Sequence, residues 1–309
     1  MPPPRKNNLL LCFDAFGTLI KPNQPVLKQY ADVAEECGLK GLDASRLRAS
    51  FGAAYRAESK AHPNFGRASD MGGERWWGNV IQSTFLPLLP ASQKEVPPQL
   101  TKKLLRRFSS LEGYDLTVPD LGSLLRRIKS RREGQTIVGV VTNSDDRIPG
   151  ILTSFGLDVS PFRYGRGSPS ATRRHDVDFH CMSYDVGFTK PSNVIFDAGM
   201  VMGLSLAERE REKEGWIKVY VGDEVGNDLL GGSEAGWHTV LVADEEADGI
   251  GERVPEGLED LEDRRGEKRE LEDVFPCNGI GLDGEDHSGE IRKMRAGSLR
   301  GVLEWFGRH

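Results

Sequence analysis

Asn8-Leu9-Leu10-Leu11-Cys12-Phe13-Asp14-Ala15-Phe16-Gly17-Thr18-Leu19 is the stretch on which the reading of the chain turns. The apolar run from Leu9 to Phe13 is too short to span a membrane and suits a strand buried on both faces of a parallel sheet. It delivers a carboxylate, Asp14, and then turns at Gly17. Open α/β sheets build their sites at such strand ends. A carboxylate fixed beside apolar walls and stripped of competing water is a competent nucleophile. The same stretch would also serve as strand, turn and helix cap, so its meaning depends on the company it keeps in the rest of the chain.

Lys21-Pro22-Asn23-Gln24-Pro25 is a turn cluster that closes this first unit. From Val26 to Leu111 the apolar residues recur at helical spacing. Val26, Tyr30, Val33, Ala34 and Cys37 mark one helix ending at Gly38, and a second follows Asp43 through Leu47, Phe51, Ala54 and Tyr55. A third carries Trp76, Trp77, Val80, Ile81 and Phe85, and a fourth Leu100, Leu104, Leu105 and Phe108. Helices without an intervening strand suggest a small bundle, with Trp76 and Trp77 in its core or against the α/β part.

The α/β pattern resumes at Val118-Pro119-Asp120, where Asp120 caps a helix through Leu124, Leu125 and Ile128. A strand Thr136–Val141 follows, then a helix near Ile148, a strand near Phe179 and a helix from Ser192 prepared by Pro191. The last βα unit is Trp216–Val221, the turn Gly222–Asp228 and a helix through Ala235; His238–Val242 reads as an edge or final strand. Strands alternating with helices mean a doubly wound parallel sheet of Rossmann-like type, interrupted once by the helical block. Residues 165–178 and 244–292 read as flexible insertions, and Glu208–Glu214 is a charge run. A short amphipathic helix at Leu299, Val302, Leu303 and Trp305 should dock on the core.

With 309 residues, 38% of them hydrophobic and 28% charged, the chain can bury a core as one large domain or two. The net charge of -6 argues against general affinity for nucleic acid or anionic membrane. Cys12, Cys37, Cys181 and Cys277 lack metal-type spacing, and Cys12 lies within the strand beside Asp14, which fits a reducing compartment. Met1–Lys6 lacks the apolar core of a signal peptide, and no run of about 18 apolar residues occurs. The expectation is a soluble, intracellular protein, cytoplasmic or nuclear, with a small-molecule substrate.

Successive strand ends then present Asp14, Thr142, Lys190 and the pair Asp223 and Asp228. Parallel strands put these ends on one edge. There Asp14 can attack an electrophile, the Thr142 hydroxyl can bond an anionic group, and Lys190 can neutralise charge on nucleophile and substrate. Asp14, Asp223 and Asp228 together call for a hard cation, Mg²⁺ first.

Phe13–Leu19, Val140-Val141-Thr142-Asn143, Thr189-Lys190-Pro191 and Val221–Asp228 resemble, in this order, the four motifs of the haloacid dehalogenase (HAD) superfamily. The helical block after the first motif resembles that superfamily's helical cap. Ala54-Tyr55-Arg56-Ala57, Pro63-Asn64-Phe65-Gly66 and Arg75-Trp76-Trp77 are similar to one group within the capped branch. The resemblance implies a core formed by residues 1–20 and 118–309 and a cap formed by 21–117. It also implies an Mg²⁺-dependent phosphohydrolase acting through an aspartyl-phosphate on Asp14 and taking a small phosphorylated molecule. Thr142, Asn143 and Lys190 would bind substrate, and Asp14, the main chain of Phe16, Asp223 and Asp228 would hold the metal.

One residue departs from that pattern. HAD phosphatases carry an acid two residues after the nucleophile, and here that position is Phe16. General acid–base assistance is worth about 10²–10⁴-fold, so turnover of ordinary phosphomonoesters should be slow or absent. A halide or acyl phosphate needs no protonation, and Asp-Ala-aromatic-Gly-Thr resembles the 2-haloacid dehalogenases. Those enzymes, however, work without metal and lack the acidic pair Asp223 and Asp228. The remaining alternative is a catalytically silent binding protein.

Overall fold

The computed structural model describes residues 8–131, 134–168, 175–207, 215–242 and 293–308. Its strands in chain order are β1 (Asn8–Phe13), β2 (Ile20–Pro22), β3 (Tyr114–Leu116), β4 (Thr136–Thr142), β5 (Phe179–Met182), β6 (Trp216–Gly222), β7 (His238–Val242) and β8 (Lys293–Ala296). The main helices are α1 (Val26–Glu36), α2 (Ala44–Ala61), α3 (Gly73–Phe85), α4 (Pro98–Arg107), α5 (Leu121–Arg131), α6 (Ile148–Ser154), α7 (Asn193–Ser205) and α8 (Leu299–Phe306).

The opening run is the centre of the sheet. Its side chains alternate with the two-residue period of a strand: Leu9, Leu11 and Phe13 join one apolar cluster, Leu10 and Cys12 the other. β1 pairs in parallel with β4 on one side and β6 on the other, placing Cys12 opposite both Gly139 and Tyr220. The full order is β5-β4-β1-β6-β7-β8. All of its pairings are parallel. α7 covers one face through Ile195, Phe196 and Met202, while α5, α6 and α8 cover the other through Leu125, Ile148 and Val302. This is the doubly wound α/β architecture expected of the strand–helix alternation.

The helices of the block follow their local signals. Asp43 accepts the Arg46 N–H at 2.8 Å and caps α2, and Gly38, at φ 91°, ends α1. Tyr30, Leu47, Phe85 and Leu104 bury their side chains in a core continuous with the α5–α6–α8 side of the sheet.

Several expectations need correction. Between Val26 and Leu111 the elements are helical as expected, but the stretches that flank them are not only turns: β2 and β3 form an antiparallel ribbon at the base of the block, with Lys21 opposite Asp115. Segments of three residues show no readable period, and Lys21-Pro22-Asn23 carries turn residues. β7 is not the edge, because β8 adds outside it. Asp120 offers its backbone carbonyl to Ser123 and Leu124 at the start of α5, but its carboxylate pairs with Arg300 of α8. Of the expected insertion 165–178, residues 169–174 lie outside the described residues, whereas His175–Asp178 are built into the fold. There Arg126 and Lys129 of α5 bind Asp176 at 2.7 Å and Asp178 at 2.5 Å. The expected insertion 244–292 and the charge run Glu208–Glu214 also lie outside the described residues. Among the described residues Cys12, Cys37 and Cys181 are unpaired, and no helix is long and apolar enough to cross a membrane.

Candidate active site

Asp14 directly follows β1, Thr142 ends β4, and Asp223 follows β6, so three adjacent parallel strands set these groups on one edge. Lys190 enters from the loop before α7. Its ammonium lies 2.6 Å from Asp14 Oδ1 and 2.6 Å from Asp228 Oδ1, with side-chain exposures of 3%, 9% and 2% for Lys190, Asp14 and Asp228. The lysine is held by Asn143, whose Oδ1 accepts the Lys190 N–H at 2.7 Å while Nδ2 donates to the Lys190 carbonyl at 3.1 Å. Each end of that carboxamide thus makes one bond to the Lys190 backbone, so Asn143 helps to position Lys190 and keeps a second N–H. Thr142 is 1% exposed, and among the described residues its hydroxyl has no hydrogen-bond partner.

The turns are shaped around the carboxylates. Gly17 sits at φ 82°, and a Cβ there would lie 2.0 Å from Asp223 Oδ2. Thr18 donates to Asp223 Oδ1 at 2.9 Å. The Asp228 Oδ2 accepts the Glu224 N–H at 2.9 Å, and its Oδ1 takes Lys190 together with the Tyr220 hydroxyl at 3.3 Å. Tyr220 also lies 3.0 Å from Lys190 Nζ and donates to the Val141 carbonyl at 2.7 Å. The sequence reading misses Tyr220 and leaves Thr18 unassigned. The available signal is a tyrosine in an otherwise apolar buried strand, whose hydroxyl must find a partner.

Electrostatics follow from this burial. Burial raises Asp223 to about 7, with the charge of Asp14 adding and the Thr18 hydrogen bond opposing. Asp228 is raised to about 6 by burial, against the pull of Lys190. Burial disfavours the Lys190 cation, but Asp14 and Asp228 outweigh it and lift its pKa above the ordinary value. Tyr220 is pushed well above its usual range by burial first and by Asp228 next.

Asp14, Asp223 and Asp228 each offer an oxygen, all within 4.8 Å of one another. An all-oxygen donor set of this charge fits a hard divalent cation. The Phe16 carbonyl accepts no hydrogen bond among the described residues and is available as a further oxygen. The Phe16 side chain turns to the base of the helical block, its ring centroid 5.5 Å from that of Tyr114.

The helical block meets this edge of the sheet at polar contacts. Trp77 Nε1 donates to Asp145 Oδ2 at 2.9 Å, Asn64 and Ser183 exchange hydrogen bonds of 2.7 and 2.9 Å, and the Tyr184 hydroxyl reaches Asp70 at 3.1 Å. Asn64, Phe65 and Asp70 hold left-handed φ values of 48°, 56° and 51° in the connecting loop. Such conformations cost non-glycine residues about 1–3 kcal/mol each and persist where surrounding contacts impose them.

Fold and site thus define a doubly wound α/β protein with an aspartate–lysine–aspartate cluster at the carboxyl edge of its sheet and a helical block inserted after its first strand. A family model described as haloacid dehalogenase-like hydrolase matches residues 9–202, a second HAD-hydrolase-like model matches residues 189–259, and the chain belongs to this family. It is 30% identical over 229 residues to an uncharacterized hydrolase of Schizosaccharomyces pombe, covering 74% of this chain and 88% of that protein. It is also 30% identical over 240 residues to haloacid dehalogenase-like hydrolase domain-containing protein 3 of Bos taurus, covering 76% and 81%. That is the group to which the segments around Ala54, Pro63 and Arg75 are similar. The magnesium-bound HAD-hydrolase YfnB of Bacillus subtilis shares the fold at a TM-score of 0.50 and 17% identity, over 97% of this chain and 99% of that one.

Proposed function

We propose that the protein is a Mg²⁺-dependent phosphohydrolase of unusual leaving-group preference, with Asp14 as nucleophile. The observation that carries the reading is Lys190, fixed at 2.6 Å between Asp14 and Asp228 with the unpartnered Thr142 hydroxyl ending the neighbouring strand. A cation so placed can balance both the attacking carboxylate and a phosphoryl group, and Thr142 has a donor to spare for a phosphoryl oxygen. Asp14 attacks phosphorus, the bond from phosphorus to the leaving group breaks, and water then cleaves the aspartyl-phosphate. Mg²⁺, held by Asp14, Asp223 and the Phe16 carbonyl with Asp228 in reach, would supply charge neutralisation at the phosphoryl oxygens. The magnesium bound to the YfnB relative accords with this. Residues 21–117 would act as the cap, tethered by the β2–β3 ribbon and closing over the site at the Trp77, Asn64 and Asp70 contacts.

Phe16 sets the limit. Its side chain cannot give a proton to a departing alkoxide, so substrates whose leaving group departs as a stable anion, acyl phosphates first, are favoured. The test is phosphate release from a panel including acyl phosphates and simple phosphomonoesters, with and without Mg²⁺, using Asp14→Asn as the blank. Metal-dependent release abolished in Asp14→Asn supports the reading. Halide release from 2-haloacids without metal would transfer it to carbon-centred displacement, and silence in both assays to a binding protein.

A further inference from the structure

Beside the site, on the Phe16 side, lies a second polar group of residues that the proposed chemistry does not use. Arg147 projects from the loop after β4 with its guanidinium 4.9 Å from the Trp77 ring centroid. Its Nε and Nη2 donate to Asp145 at 2.8 and 2.9 Å, and its Nη1 donates to the Phe108 carbonyl at 3.1 Å. A guanidinium has five N–H donors, so two remain without a partner among the described residues. Asp145 is saturated: besides Arg147 it accepts the Arg147 backbone N–H at 3.0 Å and the Trp77 indole at 2.9 Å.

The residue whose carbonyl Arg147 holds, Phe108, is flanked by two tyrosines. Its ring centroid lies 5.6 Å from that of Tyr30 and 5.9 Å from that of Tyr114, and Tyr114 in turn meets Phe16. Tyr30 and Tyr114 are only 2% and 6% exposed, yet neither hydroxyl has a hydrogen-bond partner among the described residues. A buried phenol that packs only for its ring would be a phenylalanine at lower desolvation cost. Neither hydroxyl is among the polar atoms sealed from solvent without a partner, such as Gln29 Oε1, so each keeps some accessible surface. Phe108 thus meets all three, through its carbonyl to Arg147 and through its ring to both phenol rings, which gathers them around one residue.

We propose that Tyr30, Tyr114 and the free N–H groups of Arg147 form a subsite for a carboxylate carried by the substrate. Every polar group left over is able to donate, so the complementary ligand is an acceptor. Arg147 is already balanced by Asp145, so the subsite suits a single negative charge better than a second phosphate dianion. The walls of Phe16, Trp77 and Phe108 suit a short apolar linker. The inference rests on the reading of Asp14 as the reacting group, and it narrows the substrate class to small organic acids bearing the reactive phosphoryl group.

The test compares phosphate monoesters of glycolate, 3-hydroxypropionate and 4-hydroxybutyrate with those of ethanol, propanol and butanol, measuring Kd by calorimetry with Mg²⁺. Wild type, Tyr30→Phe and Tyr114→Phe are used, together with inorganic phosphate and propionate as separate probes. A hydrogen bond to a charged group is worth about tenfold or more in affinity. At least one carboxylated ester should bind wild type that much more tightly than its alkyl counterpart, and each Tyr→Phe substitution should erase about tenfold. Because the hydroxyls have no partner in the free protein, neither variant should melt below wild type. If inorganic phosphate binds but carboxylated and alkyl esters bind alike, the subsite is overturned while the phosphohydrolase reading stands. If no phosphate binds, that reading fails, and the subsite is judged on propionate alone: binding lost in Tyr30→Phe and Tyr114→Phe sustains it, and no binding overturns it. A melting temperature clearly lowered in both variants, with ligand affinities unchanged, would mean structural hydroxyls and also overturns it.

Discussion

Removing divalent metal should make the stability of the protein fall as pH rises above neutrality, a consequence of crowding Asp14, Asp223 and Asp228 within 4.8 Å. Asp223 and Asp228 are raised from 3.8 to about 7 and about 6. A carboxyl group whose folded pKa exceeds its unfolded one contributes stability that is complete below the unfolded value and is lost as pH rises through the folded value. His180 acts in the opposite sense: burial lowers it from 6.5 to about 4, so its contribution is complete well above 6.5 and lost on acidification toward 4. Across the window from pH 6.5 to about 8 the carboxylates dominate, with the last half of the unfolded-state histidine titration offsetting part of their effect. Integrating the three titrations across that window gives a net loss of about 0.5 kcal/mol, or roughly 1 °C in melting temperature for a chain of 309 residues. Below pH 6.5 the histidine opposes the carboxylates but does not outweigh two of them, so metal-free stability from these groups should go on rising, less steeply than from the carboxylates alone, as pH falls toward about 5. Magnesium should restore the loss, adding about 2.7 kcal/mol at a hundredfold excess over its dissociation constant. Its apparent affinity should be about fourfold weaker at pH 6.5 than at pH 8, because Asp223 must first release a proton. Melting curves in chelator and in graded Mg²⁺ at the two pH values provide the assay, with Asp223→Asn expected to flatten the upper limb. A melting temperature that does not change between pH 6.5 and 8 in chelator, or a magnesium midpoint identical at both, would contradict this account of the carboxylate cluster.

Phe16→Asp restores a proton donor two residues from Asp14 and should raise phosphomonoester hydrolysis by about 10²–10⁴-fold if the missing acid is the only deficiency; steady-state phosphate release measures it. Tyr220→Phe removes the hydroxyl shared by Lys190, Asp228 and the Val141 carbonyl, and denaturant titration should show a loss of about 1–3 kcal/mol. Gly17→Ala would drive a methyl to within 2.0 Å of Asp223 from a left-handed backbone, so loss of Mg²⁺ binding should exceed that of any neighbouring substitution, as followed by calorimetry. Trp77→Phe leaves Asp145 without its indole donor and should cost about 1–3 kcal/mol while loosening the contact between helical block and sheet, detectable as faster amide exchange in α3.

Local pattern is enough to establish the sheet and the polar cluster at its carboxyl edge. A buried parallel strand must be apolar on both faces, so β1, β4 and β6 declare themselves, and a charged or hydroxylated residue at the end of such a strand has few structural reasons to be there. That places Asp14, Thr142 and Asp223 on one edge, and the order of the segments supplies Lys190 and Asp228. Folding in three dimensions settles which atoms are spent and which are free. Adjacency to Thr142 points Asn143 toward a substrate, and the fold adds that its carboxamide holds the Lys190 backbone. The Tyr220 hydroxyl is invisible in sequence because a strand's period of two reports its face and says nothing of the partner its polar tip meets. The β2–β3 ribbon and β8 escape notice because three or four residues carry no period. Arg147, Tyr30 and Tyr114 come from three distant segments, and only the packing of their rings around Phe108 brings them together. Local sequence encodes which residues are buried through short-range periodicity, whereas the pairing of polar groups across the interior depends on contacts between residues far apart in the chain, which no local pattern records.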